Sequence, residues 1–368
     1  MDVTPSYTFT ALRGVQAGRT YYSVMCPLTL VPKIFLFDEE ELTPELRAQR
    51  TLNRSRIPQM VRYILENPQD YVFSSLTTSV DGDVFFEPFL QGVGDIGRLR
   101  VPMFSRFVIN DGQHRRAAIE EALKVMPELG QETISVVIFV DAGLRRSQQM
   151  FADLNNRAVR PTKSIGILYD FRDPVALLAV RLADEHPVFR GLTEKEKTSI
   201  SNRSRKLFTL SSLYQATRQL LGLGKKDAVT EEHYRISFEF WTEVDRHIPD
   251  WNAARLQRIS SKELREEYVH AHGVALQGLS VAGATLLAQD PRRWKQRLKA
   301  LAKVDWSRNN TAIWDGRAMV AGRINRTQNN VKLTANYLKQ VLDLSLTAEE
   351  DGLERQLLKV ERKSYALV

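Results

Sequence analysis

The stretch that decides the fold is Phe107-Val108-Ile109-Asn110-Asp111-Gly112-Gln113-His114-Arg115-Arg116-Ala117-Ala118-Ile119. Its first residues are apolar and β-branched, as in a buried strand, and Asp111-Gly112 predicts a turn. We expect a helix to begin within one or two residues of this turn, with Ala117, Ala118 and Ile119 on its packing face. The segment therefore predicts a strand, a turn and a helix in immediate succession.

The start of this helix has the chemistry of an anion site. The first backbone N–H groups of a helix have no partner within the helix and carry partial positive charge. Gly112 allows close approach of the backbone, and His114 and Arg115 add donors suited to a phosphate. The alternative is a capped surface helix in which Asp111 accepts backbone N–H bonds and both basic side chains are solvated. The residues alone leave both interpretations open.

Strand signals dominate the first part of the chain. Runs of β-branched and aromatic residues predict strands at 20–25, 33–36, 71–80, 84–86, 104–109 and 133–140. A helix is predicted at 57–65, beside Pro58, and Asp81-Gly82 is typical of a tight hairpin. The fold class is α+β, with a mixed α/β domain at 1–172.

Apolar residues at three- and four-residue spacing dominate after Pro174. They predict helices at 175–183, 207–221, 231–247, 261–287, 291–301 and 333–342. The second domain, 173–368, is therefore expected to be mostly α-helical.

Composition narrows the class of protein. The chain has 368 residues, and no apolar run reaches the roughly 18 residues that span a bilayer, so we expect a soluble, cytoplasmic protein without a membrane partner. Its one cysteine, Cys26, excludes an intrachain disulfide, a cysteine-rich zinc module and an Fe–S cluster held by this chain alone. The apolar neighbours of Cys26 predict an inert, buried thiol.

Positive charge is concentrated in one segment. The formal net charge is +8, and residues 291–340 contain twelve Lys or Arg against two acids, Asp305 and Asp315. Such an excess favours a polyanion, with double-stranded DNA as the expected partner, over a merely solvated helix face. The candidate DNA contacts are Arg203, Arg205, Lys206, Arg292, Arg293, Lys295, Arg297, Arg317, Arg323, Arg326 and Lys332.

The string Asp111-Gly112-Gln113-His114-Arg115 resembles the motif that names the DGQHR-domain proteins. These resemble the ParB and sulfiredoxin fold group, where a Gly-x-x-Arg turn contacts nucleotide phosphates. Sulfiredoxins carry Gly-Cys-His-Arg at this place. Here Gln113 replaces the redox cysteine, which speaks against sulfinic acid reduction and leaves a phosphate role for Gly112, His114 and Arg115.

Further blocks carry the resemblance along the chain. The segment 49–58 looks like the family's N-terminal helix entry, and 150–156 resembles its Phe-x-x-x-Asn element. Residues 196–201 with 206–209, and 322–324 with 329–331, look like DndB proteins in particular. The resemblance implies a DNA-binding regulator of DNA phosphorothioation, in which sulfur replaces a backbone oxygen, rather than a sulfurtransferase.

The resemblance also implies a set of site residues and partners. Catalytic candidates are Asp111, Gln113, His114 and Arg115, and the nucleotide-binding candidates are these four with Gly112, Phe151, Asn155 and Asn156. ATP or another nucleoside triphosphate, with Mg²⁺, is the candidate cofactor. Partners are the other proteins of the modification system and a second copy of the chain, and the nucleoid is the expected location.

Two patterns are given little weight. Gly92-Val93-Gly94-Asp95-Ile96-Gly97 matches the dinucleotide fingerprint, but no helix is predicted to follow it, so we interpret it as a glycine-rich loop. His270 and His272 are two residues apart, which on a helix would put them on different faces and disfavours a shared metal.

Three functions remain open from the sequence. The first is a DNA-binding regulator of a DNA modification system, and the second is a nucleotide-hydrolysing enzyme, ATPase- or CTPase-like, coupled to DNA binding. The third is an assembly adaptor. The basic segment favours the first function, and the anion-ready turn favours the second.

Overall fold

The computed structural model describes residues 5–35, 54–90, 92–140, 149–150, 153–154, 161–224 and 227–365. The chain divides into two compact units, Met1–Val159 (unit 1) and Arg160–Val368 (unit 2). Unit 1 contains a large mixed sheet and unit 2 is largely helical. The prediction of a mixed α/β N-terminal part followed by a mostly helical part is confirmed.

The sheet of unit 1 has seven strands in its described residues, in the order β4-β5-β1-β2-β7-β3-β6. Neighbouring strands are antiparallel except β3 and β7, which are parallel. The strands are β1 (Ser6–Gln16), β2 (Arg19–Pro27), β3 (Leu76–Asp81), β4 (Phe85–Leu90), β5 (Val93–Pro102), β6 (Arg106–Asp111) and β7 (Thr133–Val140).

Short connections between strands that are distant in the sheet order require this sheet to be strongly curved. Both the link from β3 to β4 and the link from β5 to β6 join strands that lie five places apart in the sheet order. Each link runs over four residue steps, Asp81 to Phe85 and Pro102 to Arg106, which reach at most about 14 Å. In a flat sheet the same strands would be about 24 Å apart. The sheet therefore curves until its two edges approach each other.

The sheet of unit 1 is accompanied by helices α1 (Val31–Ile34), α2 (Ile57–Glu66) and α3 (Gln113–Val125). The core between helices and sheet is apolar and includes Val24, Leu76 and Val136. Arg116 ties α3 to the end of α1, because its guanidinium donates to the carbonyl oxygens of Phe35 at 2.9 Å and Pro32 at 3.0 Å. A buried arginine thus connects α3 to the backbone of α1.

Three predictions for unit 1 are wrong. The described residues of the strand predicted at 33–36 lie at the end of α1, where Pro32 in the first turn favours a helix. The turn at Asp81-Gly82 does not form a hairpin, because β3 pairs with β6 and β7 while β4 pairs with β5.

The glycine-rich loop predicted at 92–97 is mostly strand β5. A Cβ atom at Gly97 would lie 2.3 Å from the carbonyl oxygen of Glu87. That glycine is therefore explained by close strand pairing.

Unit 2 is built from helices. They are α4 (Lys163–Leu168), α5 (Pro174–Glu185), α6 (Leu210–Leu221), α7 (Glu231–His247), α8 (Pro249–Arg255), α9 (Ser261–Glu267), α10 (Gly273–Gln289), α11 (Trp294–Leu298), α12 (Thr311–Trp314), α13 (Gln328–Val341) and α14 (Ala348–Tyr365). Two strand pairs accompany them: β8 (Thr193–Glu194) with β9 (Phe208–Thr209), and β10 (Met319–Val320) with β11 (Arg323–Ile324).

The prediction of a helix at 231–247 is confirmed, whereas the continuous helix predicted at 261–287 is wrong. Tyr268 adopts an extended conformation, and a short 3-10 turn, Val269–Ala271, separates α9 from α10. The break places His270 in a buried aromatic cluster against Trp251 and Trp306. Packing of this side chain outweighs the local helical pattern. In the described part of the chain, no helix combines the length and apolarity needed to span a membrane.

Candidate functional site

The turn Asp111–Arg115, here called the DGQHR turn, joins the end of β6 to the first residues of α3. Gly112 lies between them with φ +107°, a backbone conformation that other residues rarely adopt. A Cβ atom at this position would lie 2.4 Å from Cδ2 of Leu76. Both backbone conformation and packing therefore require glycine at residue 112.

The helix start at this turn has no side-chain cap. Arg116 N–H donates to the carbonyl oxygen of Gly112 at 2.9 Å, so the N–H groups of Gln113, His114 and Arg115 precede the helical hydrogen bonds. The alternative of Asp111 as a helix cap is therefore wrong. The carboxylate of Asp111 instead lies 2.5 Å from Nη2 of Arg115.

Arg115 is a buried connector. Only 12% of its side chain is exposed, and its Nη1 donates to the carbonyl oxygen of Ser74 at 2.9 Å and to the Ser74 hydroxyl. The expectation of a solvated arginine here is wrong. Its guanidinium connects Ser74, which precedes β3, with the carboxylate of Asp111, the last residue of β6. Arg115 therefore stabilises the conformation of the turn.

Gln113 and His114 have different surroundings. Gln113 is 9% exposed, and its Oε1 has no hydrogen-bond partner among the described residues. Burial lowers the pKa of His114, and the charge of Arg56 lowers it further, so the neutral imidazole is favoured near pH 7. The turn therefore places the first N–H groups of α3 close in sequence to a buried acceptor oxygen.

The other predicted nucleotide contacts cannot be placed beside this turn. Phe151, Asn155 and Asn156 lie outside the described residues. Within the described ranges, no group of three His, Cys, Asp or Glu side chains is arranged to hold a metal ion. A Mg²⁺ ion at Asp111 would compete with Arg115 for the same carboxylate.

Half of the twelve cations in the basic segment 291–340 pair with acids from outside the segment. Lys295 lies 2.8 Å from Glu239 on α7, Arg317 lies 2.7 Å from Glu354 on α14, and Lys332 lies 2.7 Å from Glu349. Arg293 and Arg297 both approach Asp290, and Arg297 also donates to the carbonyl oxygens of Leu342 and Asp343. The charge excess seen along the sequence is therefore much smaller in space.

Other predicted DNA contacts carry no ion pair in the described structure. The exposed residues in this group are Arg203, Arg205, Arg292, Arg323 and Arg326. Arg326 donates to the hydroxyl of Ser212, and Lys206 donates to the carbonyl oxygen of Gly191 at 2.9 Å. Without a carboxylate, the charge of each of these side chains is available to an external anion.

A buried arginine holds the loop that carries Arg203 and Arg205. The Arg265 guanidinium, on α9, donates to the carbonyl oxygens of Ser201 at 3.0 Å, Asn202 at 3.3 Å, Ser204 at 3.2 Å and Lys206. The hydroxyl of Ser261 donates to the carbonyl oxygen of Arg205 at 2.7 Å. These bonds fix the backbone of the loop from which the side chains of Arg203 and Arg205 extend.

Two cavities lie beside this loop, and Asn202 lines both. The first, of about 520 Å³, is lined by Arg190, Arg203, Arg205, Arg255 and Lys262 and is here called the arginine cavity. The second, of about 580 Å³, contains Arg308, Arg323, Arg326 and the start of α10 and is called the helix-start cavity. Segments 198–200 and 323–324, from two blocks that carry the DndB resemblance, meet in this second cavity.

Sequence patterns missed four of these arginines: Arg190, Arg255, Arg265 and Arg308. Arg190, Arg255 and Arg265 stand alone or among acids in the sequence, so no charge run marks them, and Arg308 lies inside the basic segment 291–340 but next to no other cation. A single buried arginine such as Arg265 is indicated only by the carbonyl groups that the fold brings around it.

These features define a class of protein with two kinds of unit. One is a mixed α/β unit in which a helix begins at a glycine turn without a side-chain cap. The other is a helical unit in which arginines without carboxylate partners suit phosphate-bearing partners. The chain matches the family model of DndB proteins, described as DNA-sulfur modification-associated, over residues 9–345. It therefore belongs to the DndB family and takes part in a DNA sulfur modification system. No curated protein and no solved structure matches the chain.

Proposed function

We propose that the protein regulates a DNA sulfur modification system by binding double-stranded DNA through unit 2. The observation that carries this proposal is a set of arginines without a carboxylate partner in the described part of the chain: Arg203 and Arg205 on a loop, and Arg323 on β11, beside the two cavities. Guanidinium groups bind phosphate oxygens with paired hydrogen bonds. These three side chains would contact the DNA backbone and position the duplex without reading its sequence.

The first test is the salt dependence of binding to a labelled duplex. Each phosphate contact contributes about −0.9 to the slope of log K against log salt, because condensed counterions are released. The triple variant Arg203→Gln, Arg205→Gln, Arg323→Gln should therefore lose about 3 from the magnitude of this slope. Its matched control is Arg258→Gln, Lys299→Gln, Lys303→Gln, which removes three exposed charges outside both cavities.

Two results would contradict DNA binding at this surface. One is a wild-type slope near zero. The other is an equal loss of slope in the triple variant and the control, which would assign binding to overall charge. A variant of Arg292, Arg293 and Lys295 tests the predicted basic segment directly in the same assay.

The regulatory part of the proposal is tested in cells. If DNA binding mediates regulation, wild-type protein and the control variant should change the level of DNA phosphorothioation equally. The triple variant, at the same protein concentration, should not. Equal effects of all three proteins would mean that regulation uses another surface, such as direct contact with the modification enzymes.

A nucleotide-binding and nucleotide-hydrolysing activity at the DGQHR turn is the second candidate. It is favoured by the buried Oε1 of Gln113, which has no hydrogen-bond partner among the described residues. Oε1 can accept a hydrogen bond from a sugar hydroxyl or a base amino group, while the positive end of the α3 dipole favours an anionic phosphate. A nucleotide carries both kinds of group.

This candidate is tested by calorimetric titration with ATP and with CTP, with and without Mg²⁺. Gln113→Met keeps the size of the side chain and removes the acceptor, so affinity should fall about 2- to 13-fold. His114→Ala should weaken binding as well. Uptake of neither nucleotide by wild-type protein would remove the nucleotide site, and binding without phosphate release would remove the hydrolytic activity alone.

A further inference from the structure

The arginine cavity has an unusual balance of charge. Five of its lining residues are cationic, namely Arg190, Arg203, Arg205, Arg255 and Lys262, and none is acidic. Neighbouring residues compensate little of this charge. Lys262 Nζ lies 3.7 Å from Glu266 and Arg255 Nη1 lies 3.9 Å from Asp245, neither of which lines the cavity.

The remaining three arginines, Arg190, Arg203 and Arg205, have no ion pair in the described part of the chain. Like charges gathered around one concave space repel one another, and low-dielectric walls strengthen this repulsion. Several other arginines of unit 2 are paired with acids, as Arg317 is with Glu354 at 2.7 Å. A cluster that lowers the stability of the unliganded fold is typical of a site that binds anions.

The cavity is also rigid on one side. The loop that supplies Arg203 and Arg205 is held from behind by the buried Arg265 and by Ser261. The backbone positions of Arg203 and Arg205 are therefore set before a ligand binds, which reduces the entropy lost on binding.

An apolar wall completes the cavity. Leu192 and Ala254 are buried and line it together with Ile259. A volume of about 520 Å³ falls within the range of small-molecule sites. A duplex could only lie across its mouth, whereas a small ligand could fill it.

We propose that the arginine cavity binds a nucleotide-sized ligand that carries several phosphates and an apolar or aromatic body. The phosphates would contact Arg190, Arg203, Arg205 and Lys262, and the body would pack on Leu192 and Ile259. This site is separate from the DGQHR turn and goes beyond the proposed function, because it stands whether or not the protein binds DNA.

The test is calorimetric titration of the full-length protein with ATP and with inorganic tripolyphosphate. Arg190→Gln combined with Lys262→Gln changes two exposed side chains on the rim, so the fold should persist. The matched control is Arg258→Gln with Lys299→Gln, which removes the same charge outside the cavity. His114→Ala, at the DGQHR turn, is titrated in parallel.

We expect both ligands to bind wild type, with ATP binding more tightly because the apolar wall adds contacts. Affinity at this site should fall at least tenfold in Arg190→Gln, Lys262→Gln and remain unchanged in the control and in His114→Ala. Loss only in His114→Ala would overturn the inference and support a nucleotide site at the turn. Equal loss in the cavity variant and the control, or absence of binding by wild type, would also overturn it.

Discussion

Replacing Arg115 with alanine should destabilise unit 1 rather than merely weaken a ligand contact. The Arg115 side chain is 12% exposed and connects Ser74 with Asp111. Alanine removes both connections and leaves the Asp111 carboxylate without this partner. It also removes the guanidinium that lies behind Gly112.

The expected cost follows from the two connections. A hydrogen bond from a charged donor contributes about 1.5–3 kcal/mol, and the contacts to Ser74 are of this kind. The ion pair with Asp111 adds at most about 1 kcal/mol, because that carboxylate is 42% exposed and partly screened. The free energy of unfolding should therefore fall by about 2–4 kcal/mol. Asp111→Asn, which keeps the shape, should cost only about 1 kcal/mol.

The assay is urea unfolding followed by two signals. All five tryptophans of the chain lie in unit 2, so tryptophan fluorescence reports unit 2 while far-UV circular dichroism reports both units. Arg115→Ala should shift part of the dichroism transition to lower urea and leave the fluorescence transition in place. Arg115→Lys, which keeps the charge but not the planar fork, should behave like the alanine variant.

An Arg115→Ala protein that unfolds at the same urea concentration as wild type would refute this reasoning. It would mean that the guanidinium contributes nothing to the turn and is available to a ligand. The Asp111→Asn variant then shows whether the carboxylate has a role of its own.

Three further predictions concern unit 2 and the core of unit 1. Arg297→Gln should lower the urea midpoint seen by tryptophan fluorescence, because Arg297 donates to the carbonyl oxygens of Leu342 and Asp343. The control Arg292→Gln should leave this midpoint unchanged. Equal midpoints in the two variants would contradict a stabilising role for the Arg297 bonds. Burial raises the pKa of the Cys26 thiol to about 12, so iodoacetamide at pH 8 should label native protein far more slowly than urea-unfolded protein, and similar rates would show an accessible thiol. Burial lowers the pKa of His186 and of His272 to about 4, below the ordinary value near 6.5. Between these two pH values the unfolded state therefore binds more protons than the folded state. The free energy of unfolding of unit 2 should fall as the pH drops from about 6.5 to about 4. A thermal midpoint that stays constant over this range would contradict the neutral, buried state of these histidines.

The local features of this protein could be predicted from its sequence. The strand, turn and helix around Gly112 depend on residues within a dozen positions, and the same holds for the helix at 231–247. The family could also be predicted, because the DGQHR motif and the blocks in the helical half are contiguous strings. Such features are set by neighbouring residues, so they do not depend on which distant segments pack against them.

Features that depend on distant partners could not be predicted in this way. The hairpin expected at Asp81-Gly82 is absent because the sheet curls and gives each strand a partner from elsewhere in the chain. The helix expected at 261–287 breaks where His270 enters an aromatic core. Burial of a side chain in a well-packed place outweighs the small free energies of local propensity.

The distribution of charge depends most clearly on partners that are distant in the sequence. Along the sequence, residues 291–340 are the most basic segment, yet Glu239, Glu349 and Glu354 come from outside it to pair with its cations. Arg190, Arg203 and Arg205 have no carboxylate partner in the described part of the chain and meet around one cavity, although they lie outside that segment. The sequence by itself determined the number of charges and the residues of the DGQHR turn. Only the tertiary structure decided which charges remain uncompensated, because electrostatic energy depends on distance in space and not on separation along the chain.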